Sequence, residues 1–303
     1  MRKDGKVIER IINRRTGVSD EFKIGLIIEG GGMRGVFGGG AMIGLESLGL
    51  TNCFDHVYGT SSGSCSGAYF LSGQAKDGAS IYWEDLKWFN FIKPWKLQKI
   101  MDLDFLFDVV MKKVKPLKTR KLISSKSVLK VFMANAETGS CISYTNHDNI
   151  DFLKLMKASC AMPGYYNKII EINGNKHLDG NIGKAIPIEE ALTDGCTDVL
   201  VVTTVPEGYR RSRFRQLRGS FKELLAIAFT KQFRKTYKLS DDNYNDSLDI
   251  AFGVKPIHRK INIYTVSPDY LLFAGEIRPW TLRLSAANGI YKIREAFLTE
   301  EIS

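Results

Sequence analysis

No stretch of this chain reaches the roughly 18–20 consecutive apolar residues of a membrane-spanning helix, so no transmembrane helix is expected. Residues 1–15 are polar and charged and lack the apolar run of a secretory signal. Cysteine is scarce and odd in number. The five residues, Cys53, Cys65, Cys141, Cys160 and Cys196, contain no Cys-x-x-Cys pair, which argues for reduced thiols and a cytoplasmic protein. The four histidines lie far apart and none pairs at ligand spacing, so neither a metal centre nor a cofactor is expected. Repeats and low-complexity tracts are missing as well. What is present is an apolar fraction of 44%, enough for a large core. The length of 303 residues is long for one domain but ordinary for one α/β sheet with insertions.

Hydrophobic periodicity predicts strands near 24–29, 56–59, 128–134, 141–145, 168–172, 176–178, 198–204 and 261–265. Helices are predicted near 36–48, 62–74, 79–90, 150–158, 187–194, 220–238 and 288–298. Strands alternating with helices imply an α/β fold, a three-layer α/β/α arrangement with a largely parallel central sheet. The chain divides into a basic extension over 1–23, a core over 24–205 and a C-terminal extension over 206–303. The strand near 261–264 is placed to join the main sheet.

Three glycine-marked motifs carry the chemistry. In Gly59-Thr60-Ser61-Ser62-Gly63 a short strand turns directly into a small-residue helix. A turn that tight needs glycine two before and two after a nucleophile, and it holds the Ser61 hydroxyl out at the end of the strand. Ser62, Ser64 and Ser66 are rivals, but only Ser61 has glycine on both sides at the required spacing. Gly63-Ser64-Cys65-Ser66-Gly67 repeats the spacing around Cys65 inside the expected helix, where close packing explains it.

Gly30-Gly31-Gly32-Met33-Arg34-Gly35 joins a buried strand to a helix, so its backbone N–H groups can approach an anion. It also matches the dinucleotide fingerprint letter for letter. That reading needs an acid at the far end of the second strand, and Asp55 precedes that strand instead. A nucleophile on the next strand favours an oxyanion loop. Arg34 orients the loop, meets an anionic head group, or is a surface arginine. The third motif, Leu178-Asp179-Gly180, ends a hairpin turned by Asn173-Gly174-Asn175. Asp179 can act as a base for Ser61 only if the site desolvates its carboxyl.

Together these segments resemble the patatin-like phospholipases, serine lipid acyl hydrolases with a Ser–Asp dyad. The resemblance continues through Ala136-Glu137-Thr138-Gly139, residues 158–164 (Ala-Ser-Cys-Ala-Met-Pro-Gly), His177-Leu178-Asp179-Gly180-Asn181 and Ile186-Pro187-Ile188. It spans about residues 24–205. Pro206-Glu207-Gly208-Tyr209-Arg210 and residues 244–248 are similar to the extension of a bacterial subgroup. The resemblance implies Ser61 as nucleophile and Asp179 as its partner. It implies an oxyanion hole at Gly30, Gly31, Gly32, Arg34 and Ser62, an elbow framed by Gly59 and Gly63, and a lipid ester as substrate. Ser62 stands where the family usually has alanine, and Asn181 where it usually has glycine.

Two further segments bear on substrate. Residues 81–111 hold Tyr82, Trp83, Trp88, Phe89, Phe91, Trp95, Phe105 and Phe107, either a cap that receives acyl chains or a helical pair packed on the sheet. Residues 209–238 carry ten Lys/Arg against one acid, interleaved with Phe214, Phe221, Phe229 and Phe233. That composition suits peripheral contact with an anionic membrane, at the inner surface for a cytoplasmic protein, and nucleic acid is disfavoured for want of any binding motif. Two alternatives stay open: a Ser–His–Asp esterase using His258 or His177, and a non-catalytic nucleotide- or lipid-binding protein that kept the glycine loop.

Overall fold

Unbroken aliphatic runs become strands covered on both faces. In the computed structural model, which describes residues 2–96, 99–211, 229–257 and 261–300, β1 (Ile24–Ile28) and β7 (Asp198–Val202) are buried along their whole length. They lie side by side, in register from Ile24↔Asp198 to Ile28↔Val202. The other strands are β2 (His56–Thr60), β3 (Val128–Asn135), β4 (Cys141–Thr145), β5 (Ile170–Ile172), β6 (Asn175–Asp179) and β8 (Asn262–Val266). They form one open sheet in the order β5-β6-β3-β2-β1-β7-β8, with β4 on β3. Strands β3, β2, β1, β7 and β8 run parallel, and β4, β5 and β6 are the antiparallel ones.

Side-chain alternation sorts the residues of β1 between two covering layers. Leu26 and Ile28 join a cluster with Val7, Ile8, Phe37, Leu282 and Ile293. These come from α1 (Gly5–Arg15), α2 (Gly35–Ser47) and α9 (Pro279–Glu300). That layer also holds α3 (Ser62–Leu71), α4 (Ala75–Glu84), a π-helical stretch (Phe105–Val114), α5 (Thr119–Ile123) and α6 (Phe152–Ser159). Ile27 faces the opposite layer with Ile188, Ala191, Leu248 and Ala251, from α7 (Ile188–Thr193) and α8 (Lys231–Phe252). The fold is therefore the three-layer α/β/α arrangement with a mostly parallel sheet that the sequence implies.

All eight expected strands form, and the strand near 261–264 joins the sheet as β8, against β7. The helices differ more. The helix expected over 62–74 stops at Leu71, because Gly73 turns the chain at φ +66°. The helix expected over 220–238 is observed as α8 from Lys231; residues 212–228 lie outside the described residues. Periodicity missed α1. Asp4 caps it by accepting from the Lys6 N–H, and Val7, Ile8 and Ile11 are fully buried. Arg10 then ties it to the sheet through both carboxylate oxygens of buried Asp198, at 2.7 and 2.5 Å. The α2 and α9 backbones cross almost in contact: a Cβ at Gly289 would stand 2.3 Å from the Phe37 carbonyl oxygen.

One feature of the register places the site. β2 follows one edge of β3 up to Thr60↔Phe132. At the next residue of β3, Met133, β6 takes over that edge with Met133↔Asp179. β4 holds the opposite edge of β3 through residues 130–134, so β2 and β6 share one. The end of β2 and the end of β6 therefore meet head to head.

Candidate active site

Ser61 is the residue at which β2 becomes α3. Its backbone takes φ 53°, ψ −128°, a conformation a side-chain-bearing residue holds only when its surroundings enforce it. The enforcement is close packing. A Cβ at Gly63 would lie 2.1 Å from the Ile28 carbonyl oxygen, and one at Gly59 would lie 2.5 Å from the Ser64 Cα. The Ser61 N–H donates to Ser159 Oγ at 2.9 Å, and Ser159 in turn donates to the Phe132 carbonyl. The hydroxyl is thus aimed by fixed backbone.

That hydroxyl donates to Asp179 Oδ2 at 2.9 Å. The carboxyl is buried, and burial pushes its pKa up to about 7; the Asn181 N–H, the Ser61 hydroxyl and the positive charge of Arg211 pull it back down. The Asn181 N–H reaches Asp179 Oδ1 at 2.8 Å, leaving the other oxygen to the serine. The rival serines are occupied otherwise. Ser64 donates to the Ser61 carbonyl and Ser66 to the Ser62 carbonyl. Ser62 Oγ accepts from the Gly31 N–H at 2.9 Å.

This last bond modifies the expected oxyanion loop. The Gly31 N–H is turned to the Ser62 side chain, present here in place of the family's usual alanine. The N–H groups of Gly32 and Ser62, each opening a helical turn, have no partner among the described residues. They are the donors free to meet an anion, with the N-terminus of α3 behind them. Gly32 takes φ +59°, and Gly30 lets the loop lie against β2, since a Cβ there would stand 2.3 Å from the Thr60 carbonyl oxygen. Arg34 is no surface arginine. It is buried, 5.9 Å from the Tyr209 ring, and its Nε has no hydrogen-bond partner among the described residues.

No histidine bonds to Ser61 or Asp179 among the described residues. His177 is buried edge-on to Tyr144, with ring centroids 5.8 Å apart, and burial lowers its pKa. His56 stands at the opposite end of β2, and His147 is exposed; His258 lies outside the described residues. Asp55 is bound by Arg14 and the Ile24 N–H at the far end of the sheet from the glycine loop, where it cannot meet a nucleotide held by that loop. No group of three or more His, Cys, Asp or Glu able to hold a metal ion occurs among the described residues.

Residues 26–192, more than half of the chain, match the family model of the patatin-like phospholipases. The chain belongs to the patatin-like phospholipase family. The uncharacterized protein YjjU of Escherichia coli (strain K12) is 29% identical over 191 residues, covering 61% of this chain and 52% of that protein. The chain thus spans about half the length of the curated relative it matches. Among solved structures, VipD from Legionella pneumophila superposes with a TM-score of 0.55 at 14% identity, over 93% of this chain and 68% of its own, which speaks for a shared fold. Human GIVD cytosolic phospholipase A2 with methyl γ-linolenyl fluorophosphonate gives a TM-score of 0.41 at 10% identity, over 99% of this chain and 63% of its own.

In this patatin-like chain a narrow apolar cleft runs from Ser61 under the 81–111 insertion. Ile81, Tyr82, Leu86, Phe91, Met101, Leu103 and Leu106 line it from the insertion, and Cys65 and Tyr69 from α3. The helix expected over 79–90 is observed as α4 (Ala75–Glu84), and the insertion ends in the π-helical stretch that starts at Phe105. The glycine loop and the tight strand-to-helix turn at Ser61 were legible from their spacing. The Ser62–Gly31 bond and the burial of Arg34 left no sequence signal.

Proposed function

We propose that this chain is a serine acyl hydrolase cleaving fatty-acyl esters of phospholipids or related lipids through a Ser61–Asp179 dyad. The observation that carries it is the 2.9 Å bond from Ser61 Oγ to a buried carboxylate, at the head of an apolar cleft. Asp179 takes the hydroxyl proton as Ser61 Oγ bonds to the ester carbonyl carbon. The oxyanion is held by the N–H groups of Gly32 and Ser62, with Gly30, Gly31 and Arg34 shaping the loop. On collapse the ester C–O bond breaks and Asp179 returns the proton to the leaving alcohol. Asp179 then draws a proton from water as its oxygen bonds to the acyl carbon; the acyl–Oγ bond breaks, Asp179 returns the proton to Ser61 Oγ, and the fatty acid is released. Family membership supports a lipid hydrolase, and the apolar lining supports an acyl chain as the part recognised. All five cysteines are unpaired, which suits a reducing, cytoplasmic setting.

The test is hydrolysis across p-nitrophenyl esters, phospholipids, lysophospholipids and acylglycerols. Ser61→Ala and Asp179→Asn should each lower kcat by several powers of ten with the circular dichroism spectrum unchanged. His177→Ala and His258→Ala should keep substantial activity. A comparable loss in a folded histidine variant means a Ser–His–Asp triad instead.

A further inference from the structure

The 81–111 insertion has two faces. Leu86, Phe91 and Met101 turn inward and line the cleft. Trp88 (52% exposed), Phe89 (51%) and Trp95 (61%) turn outward. A second segment stands beside them, with Phe273 70% and Trp280 61% exposed. The two are joined by the Trp88 N–H, which donates to the Ile277 carbonyl at 2.7 Å. The second segment is also joined to the glycine loop, where the Met33 N–H donates to the Ala274 carbonyl at 3.1 Å. A Cβ built on Gly32 would meet that same carbonyl and the Met101 methyl. These outward aromatics therefore sit on the two segments that border the cleft leading to Ser61 and the glycine loop.

Such a patch does little for the folded monomer. Each residue keeps half or more of its surface exposed, and Trp88 holds φ +53°, a strained value for a bulky residue. The composition names the occupant. Phe89 packs against Trp95 with centroids 5.3 Å apart, and Lys96 is exposed beside Trp95. Arg278, 5.2 Å from the Trp280 ring, is paired with Glu276 at 2.6 Å, so Lys96 supplies the basic side chain of the patch. Protein–protein interface cores are depleted in lysine. Tryptophan and phenylalanine mixed with basic side chains suit the headgroup level of a bilayer, where the ring is half in hydrocarbon and the cation meets phosphate. The basic segment is a poorer candidate where it is described. Phe233 is buried and stacked on Phe229, and Arg210 and Arg211 pair with Asp249 and Asp241 of α8.

We propose that Trp88, Phe89, Trp95, Phe273 and Trp280 form a bilayer-docking surface that sets the cleft mouth against the lipid from which an acyl chain enters. The role of the cleft rests on the function proposed above; the docking itself does not, and it is measured without turnover.

The experiment uses the full chain carrying Ser61→Ala, with phosphatidylcholine vesicles and with vesicles that also contain phosphatidylglycerol. The protein should sediment with both, more with the anionic ones, and its tryptophan emission should move to shorter wavelength. Adding Trp88→Ala, Phe89→Ala and Trp95→Ala should weaken partitioning at least ~10-fold on both vesicle types, each ring losing apolar burial. In the active chain the same three changes should leave soluble short-chain ester hydrolysis intact. Phe273→Ala alone should give a smaller loss in the same direction. Undiminished sedimentation of the triple variant overturns the proposal, as does binding lost only when Arg210, Arg211, Arg213, Arg215 and Arg218 become Gln. Concentration-dependent self-association that the triple variant abolishes, without vesicle binding, assigns the patch to a second copy and also overturns it. If the wild-type chain docks yet hydrolyses no ester, the function falls and the docking stands.

Discussion

At the scale of single residues, the account turns on a carboxylate made basic by burial. A free aspartate titrates near 3.9 and is a poor base at neutral pH; inside this site Asp179 is raised to about 7. Two consequences follow from that one shift. Turnover should rise with pH through a limb near 7, because only the ionised carboxyl accepts the Ser61 proton. Stability should run the other way. A raised pKa favours the protonated folded state, so the benefit is full below about pH 4 and is lost as pH climbs toward 7. Asp179→Asn removes that dependence. By thermal denaturation the variant should gain on the wild type between pH 4 and 8, by up to a few kcal/mol at the upper end. A difference that stays flat across this range would mean that Asp179 titrates normally. Nothing in the sequence showed that Ser61 and Asp179 touch. They lie 118 residues apart, and only motif order and the family resemblance paired them. The burial of Arg34 and the engagement of Gly31 with Ser62 were illegible for a related reason: both depend on atoms brought in from other segments.

At the scale of elements, strands were easier to read than helices. Buried strands announce themselves as aliphatic runs, as in β1 and β7. α1 is mostly polar, and its buried Val7, Ile8 and Ile11 cover too narrow a stripe to stand out, although Asp4 ahead of them is an N-cap signal. The 81–111 insertion was legible as aromatic but not as two-faced, because composition does not say which ring points inward. The α2–α9 crossing was hidden as well, since its close approach needs a glycine from each end of the chain. A Cβ at Gly40 would meet the Ala286 carbonyl oxygen at 2.1 Å, and one at Gly289 the Phe37 carbonyl oxygen. Gly289→Ala forces these helices apart and should cost about 1–3 kcal/mol, the range of an overpacked core. Urea denaturation checks this, and an unchanged midpoint would show that the crossing can widen freely. Because α2 follows the glycine loop directly, that variant should also lose part of its ester hydrolysis.

At the scale of the whole molecule, a mostly parallel sheet with an antiparallel β6 delivers two strand ends to one point. Loops and an insertion from distant parts of the chain then close over it. The fold class was legible because alternating strands and helices leave few ways to bury both sheet faces. The C-terminal helix α9, by contrast, packs across α2 behind the glycine loop, and no local pattern announces that. No step of the proposed chemistry calls for a metal ion, so ester hydrolysis should be unchanged after chelation and dialysis. Activity that chelation removes and calcium or zinc restores would require a different mechanism. The central claim is that Ser61 is a nucleophile activated by Asp179, and covalent labelling tests it most directly. The purified chain is treated with a fluorophosphonate, its intact mass is recorded, and the modified peptide is mapped. The account predicts one adduct, on Ser61, that is missing in Ser61→Ala and forms far more slowly in Asp179→Asn. A folded wild-type chain that takes no label, or takes it on another residue, would contradict it.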